Sequence, residues 1–93
     1  MKRKVIKTVY KNLGREGVWG WAHLSDNIIE LDNKLKGKKH LEILIHEAMH
    51  ILNPSFGEDK TILQSVALTN LLWKEMYRRI EKDEKIPLQD GKK

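Results

Sequence analysis

Five consecutive residues carry most of the chemistry that this chain offers. They are His46-Glu47-Ala48-Met49-His50, the pattern H-E-x-x-H. On a helix, residues four apart stand one turn above each other, so both imidazoles can converge on one ion. Glu47 follows the first histidine by one position, which sets its carboxylate beside the ion's open coordination position rather than on the ion. Zinc lowers the pKa of a bound water to about 7, and a neighbouring carboxylate can then accept the proton. Two neutral imidazoles, one oxygen ligand and a water complete a tetrahedral catalytic set. The sequence has no cysteine, so any metal must be held by nitrogen and oxygen, and disulfides and thiol nucleophiles are excluded.

The elements that must position these groups come next. Leu41, Leu44, Ile45, Ala48, Ile51 and Leu52 recur at helical spacing from about Gly37, and Asn53-Pro54 stops the helix. Within it, L-E-I-L-I-H-E-A-M-H-I-L is apolar nearly all round from position 43 apart from the three motif groups. Burying those groups without partners is costly, and a metal satisfies all three. The competing reading makes the two histidines core residues bonded to backbone carbonyls, with Glu47 at the surface. A second helix is expected from about Glu58 to about Lys82, with an apolar stripe of Ile62, Val66, Thr69, Trp73, Met76 and Ile80 widened by Leu63, Leu72 and Tyr77. Residues 4–10 and 28–32 suit strands. In residues 18–24, Val18, Gly20, Ala22 and Leu24 face one way, and Trp19, Trp21 and His23 face the other. The two tryptophans are expected in the core. Ser25-Asp26-Asn27 reads as a tight turn, so the three strands are expected to form an antiparallel meander.

The expected fold class is α+β, a small antiparallel three-stranded sheet packed on two helices. One domain spans residues 1–82, followed by a frayed tail over 83–93. At 93 residues the core is modest. No run approaches the roughly 18 apolar residues of a membrane span, so no membrane role is expected. The basic start MKRKVIKTVYK leads into no apolar stretch, which reads as an unprocessed cytoplasmic protein. Net charge is +5, with ten Lys and Arg against four Asp and Glu in residues 1–40 and eight against nine in residues 41–93. A solvated lysine face is the preferred reading of that excess. Nucleic acid is set aside as a partner because no recognition module accompanies the charge.

From Gly17 to Arg79 the chain resembles the small zincin metallopeptidases of the gluzincin type, and most of all the short phage- and prophage-associated metallopeptidases. HEAMHILNP, Glu58-Asp59, Leu72-Trp73 and Arg78-Arg79 carry the resemblance. It implies a minimal zincin-like core, Zn²⁺ as cofactor, a peptide or protein substrate, His46 and His50 as metal ligands and Glu47 as general base. It also carries the third ligand onto Glu58, with Asp59 and Glu75 as alternatives. Ser55-Phe56-Gly57-Glu58 equally fits a capping box, in which Glu58 serves only the helix start. By the same resemblance, Ile28–Asp32 is the edge against which an extended substrate adds. His23 and His40 read as surface or structural residues, although either of them, or Tyr77, could polarise a substrate carbonyl. The rival function is a non-catalytic binding module whose small core is stapled by zinc.

Overall fold

A computed structural model describes residues 5–80. The expected tail over 83–93 lies outside the described residues. The elements run β1 (Lys7–Lys11), a single 3-10 turn at Gly14–Glu16, β2 (Gly20–His23), β3 (Ile28–Asp32), α1 (Gly37–Leu52) and α2 (Glu58–Lys74). The architecture is α+β, with one three-stranded sheet and two helices.

The sheet corrects the expected meander. Its order is β1-β3-β2, with β2 antiparallel to β3 and β1 parallel to it. The turn after His23 makes the β2–β3 hairpin as expected. The chain after β1, however, does not fold back as a hairpin but crosses to the far side of β3. Asp32 fixes that crossing. Its buried carboxylate accepts Leu13 N–H at 2.8 Å and Gly14 N–H at 3.1 Å through Oδ1, and Lys34 N–H at 3.1 Å through Oδ2. One side chain thereby ties the end of β1 to the end of β3 and to the loop that starts α1.

The strand alternation puts Ile29 and Leu31 on the inner face, where they form the core with Leu35 and Ile51. Ala22, Ile43, Leu44 and Ala48 pack against that cluster, so α1 lies across the inner face of β2 and β3. Trp19 and Trp21, expected in the core, are 50% and 45% exposed. The period-2 pattern holds, but among the described residues no helix covers the outer face of the sheet. On that face Lys11 donates to Glu30 at 3.0 Å, and His23 lies 3.2 Å from the same carboxylate. The Lys11 hydrogen bond holds the Glu30 carboxyl below its ordinary range.

α2 packs on α1 through a face that keeps Thr69 of the expected stripe but is rotated away from Ile62 and Val66 at its start. Thr61, Ser65 and Thr69, four residues apart, are its buried side chains, whereas Ile62 and Val66 are exposed and Leu63 is 72% exposed. Small side chains let the helix backbones approach closely, and two of the hydroxyls are satisfied within α2: Thr61 by Gly57 O and Ser65 by Ile62 O. Among the described residues, Thr69 Oγ1 is buried without a hydrogen-bond partner.

α2 also ends earlier than Lys82. Met76 adopts a left-handed backbone, φ 73°, and Tyr77 N–H bonds Leu72 O while Met76 N–H bonds Trp73 O. This is a Schellman closure without its usual glycine. Arg78 reinforces it, donating to Trp73 O at 2.8 Å while its guanidinium covers the Trp73 ring.

Asp32→Ala leaves a buried backbone N–H without an acceptor and is expected to cost about 3 kcal/mol in urea unfolding, whereas Asp32→Asn, which keeps one carbonyl oxygen, is expected to cost about 1 kcal/mol. Equal losses in the two variants would contradict the role given to the Oδ1 bonds.

Candidate metal centre

The middle of α1 supplies two imidazoles and the first residue of α2 supplies a carboxylate. His46 Nε2 and His50 Nε2 stand 3.2 Å apart, with the two rings edge to face at 84°. Glu58 spans them. Its Oε2 is 3.2 Å from His46 Nε2 and its Oε1 is 3.1 Å from His50 Nε2. These lone-pair-bearing atoms stand so close together only with hydrogens shared between them or with a metal ion among them. Zinc–ligand bonds of 2.0–2.1 Å correspond to tetrahedron edges of about 3.3–3.4 Å, and one ligand atom from each of His46, His50 and Glu58 can be chosen so that all lie within 4.8 Å of one another. The donor set, two nitrogens and one carboxylate, also suits that ion. Both imidazoles are mostly covered, while the Glu58 side chain is 60% exposed, so the group is open to solvent on one side.

The turn between the helices explains why Glu58 reaches the histidines. Asn53 N–H caps Met49 O, and Phe56 N–H bonds Asn53 O, which reverses the chain within a few residues. The N-cap of α2 is Gly57, without a side-chain cap hydrogen bond. Glu58 is therefore the first helical residue, not the third, and the Ser55 capping box does not form. Gly57 itself has an ordinary extended backbone, φ −73°. Among the described residues, the three-residue group able to hold an ion is His46, His50 and Glu58. Asp59 and Glu75 do not join it, and Glu75 caps the far end of α2.

Glu47 stands outside the triangle and lines the same cleft, a cavity of about 310 Å³ that also includes Trp21, Ala22, Leu24 and Pro54. Burial pushes the Glu47 carboxyl above its ordinary value. The two imidazoles oppose that shift, and the Glu58 charge adds to it. The floor beneath Glu47 is Gly20. A Cβ there would come within 3.2 Å of Glu47 Cγ, 3.2 Å of Ile43 Cγ2 and 3.1 Å of Glu30 O. A glycine at an inward-facing strand position was the signal for this close approach.

β3 is paired on both sides, so Ile28–Asp32 is not the edge that the resemblance implies. β2 is the edge strand beside the cleft. His23 lies on the outer sheet face with Glu30, His40 is buried against Tyr10, and Tyr77 lines a separate cavity, so none of the three lines the cleft. No family model, curated protein or solved structure matches the chain.

Protein purified without a histidine tag is expected to bind about one zinc per chain by elemental analysis. Glu58→Ala is expected to weaken zinc by more than about a hundredfold in a chelator competition, beyond what loss of a supporting partner costs. Asp59→Ala should leave the affinity unchanged, and the reverse ranking would assign the third ligand to Asp59.

Proposed function

We propose that this chain is a zinc-dependent metallopeptidase acting in the cytoplasm on peptide or protein substrates. The observation that carries the reading is a division of labour inside one cleft. Two imidazoles and the Glu58 carboxylate converge on a point, while a fourth ionisable group, Glu47, lines the cleft without joining them. Zinc held by His46, His50 and Glu58 would supply a Lewis acid for a substrate carbonyl and would lower the pKa of water. Glu47 would act as general base, taking a proton from water on its carboxylate and passing it to the leaving amine. Half-burial suits this role, since it makes the carboxylate a better proton acceptor than a fully hydrated one. Leu24 and Pro54 give the cleft an apolar wall on which a substrate side chain can rest. No described helix is long and apolar enough to cross a membrane, in keeping with action in an aqueous compartment.

One observation favours the alternative, a zinc-stapled binding module. α2 packs on α1 through small hydroxyl-bearing residues and leaves Ile62, Leu63 and Val66 exposed, so a metal link between the helices would add stability that this packing lacks.

The two readings differ over Glu47. As a general base it is expected to tolerate Glu47→Gln with zinc and fold retained, while turnover falls by about 10²–10⁴-fold. The assay offers cell extract proteins to both forms and compares newly formed N-termini by mass spectrometry. Identical profiles with zinc bound in both forms would favour the module.

A further inference from the structure

A second cavity, of about 350 Å³, opens between the start of α1 and the end of α2. Its walls include Tyr10, His40, Trp73, Tyr77, Arg78 and Arg79, with no acidic residue among the described residues that line it. The aromatic faces are held in place. Tyr10 Oη lies 2.8 Å from the Nε2 of buried His40, and the two rings stack at 5.9 Å with 20° between their planes. Arg78 lies 3.5 Å over Trp73, and Arg79 lies 4.8 Å over Tyr10. The cavity lining thus combines aromatic rings with two guanidinium groups that already lie against two of them.

We propose that this cavity binds a nucleotide unit, with the base stacked among Tyr10, Trp73 and Tyr77 and the phosphate at Arg78 and Arg79. Base stacking on aromatic and guanidinium planes tolerates any base, because every base has a π face. The guanidinium fork matches phosphate geometry, and Arg79 sits where it can serve both purposes. The basic excess of residues 1–40 gave no reason by itself to invoke nucleic acid. The aromatic slot supplies what the charge alone lacked.

A free nucleotide and a single strand share this chemistry, and the test separates them. The full chain is titrated against a fluorescein-labelled oligothymidine of about ten nucleotides, with anisotropy read between about 50 and 200 mM salt. Saturable binding is expected, weakened about tenfold by Arg79→Ala and about tenfold by Tyr77→Ala, both exposed side chains. Lys7→Ala removes the same charge as Arg79→Ala from another element and should change affinity by less than about threefold. Displacement by thymidine monophosphate assigns the cavity to free nucleotides, and displacement by unlabelled oligothymidine alone assigns it to single strands. Should a variant melt early, the wild-type chain decides through its indole N–H resonances: the nucleotide should move the Trp73 signal and leave Trp19 and Trp21 in place. No saturable binding, equal losses in Lys7→Ala and Arg79→Ala, equal competition by an acidic peptide, or movement of Trp19 and Trp21 alone would each overturn the proposal.

Discussion

The Glu58 carboxylate bridging two imidazoles across the α1–α2 turn is the constraint on which the rest of the molecule depends. It brings one carboxylate within 3.2 Å of two imidazoles that are themselves 3.2 Å apart, a crowding of lone pairs that needs shared hydrogens or a metal ion between them. A helical repeat fixes the two histidines relative to each other. Only the turn at residues 53–57 and the seating of α2 on α1 fix the carboxylate relative to them. A shift of α2 by one residue along its axis, roughly 1.5 Å, would open the triangle.

The buried hydroxyl stripe of α2 gains its meaning from that constraint. Thr61, Ser65 and Thr69 present small side chains to α1, and the first two hydroxyls bond within α2, so at those two positions the helices can lie close with the hydroxyls satisfied. Bulky residues there would hold the helices apart and lift Glu58 away from the imidazoles. The consequence is an apolar outer side on α2. At the sheet side, Gly20 plays the matching part, since its bare backbone lets Glu47 settle against β2. The site is thus bounded by two surfaces chosen for smallness, one on each side of α1.

Much of this was legible in the residues, and the failures have physical causes. The relation of His46, Glu47 and His50 followed from helical geometry, because a local repeat needs no tertiary information. Glu58 was reachable only through resemblance. Spacing alone does not distinguish it from Asp59, and the S-x-x-E pattern offered a local use that the Gly57 cap displaces. The sheet order was hidden because the pattern of residues 7–11 fits either neighbour, and the deciding contact, Asp32 to Leu13 and Gly14, is long-range. The buried face of α2 was only partly foreseen: Thr69 lies in it, but Ile62 and Val66 do not, because an apolar stripe measures transfer from water, whereas close helix approach selects for size. Its end was missed because Met76 takes the left-handed position usually held by glycine.

X-ray absorption at the zinc edge of the zinc-loaded protein tests the central claim most directly, since it reads the ligand set without reference to activity. The predicted spectrum shows a first shell of about four light atoms at 2.0–2.1 Å with the outer-shell scattering of two imidazoles. Glu58→Ala should replace one carboxylate oxygen with water and leave both imidazoles in place. A six-coordinate shell with one imidazole or none would contradict the centre described for His46, His50 and Glu58.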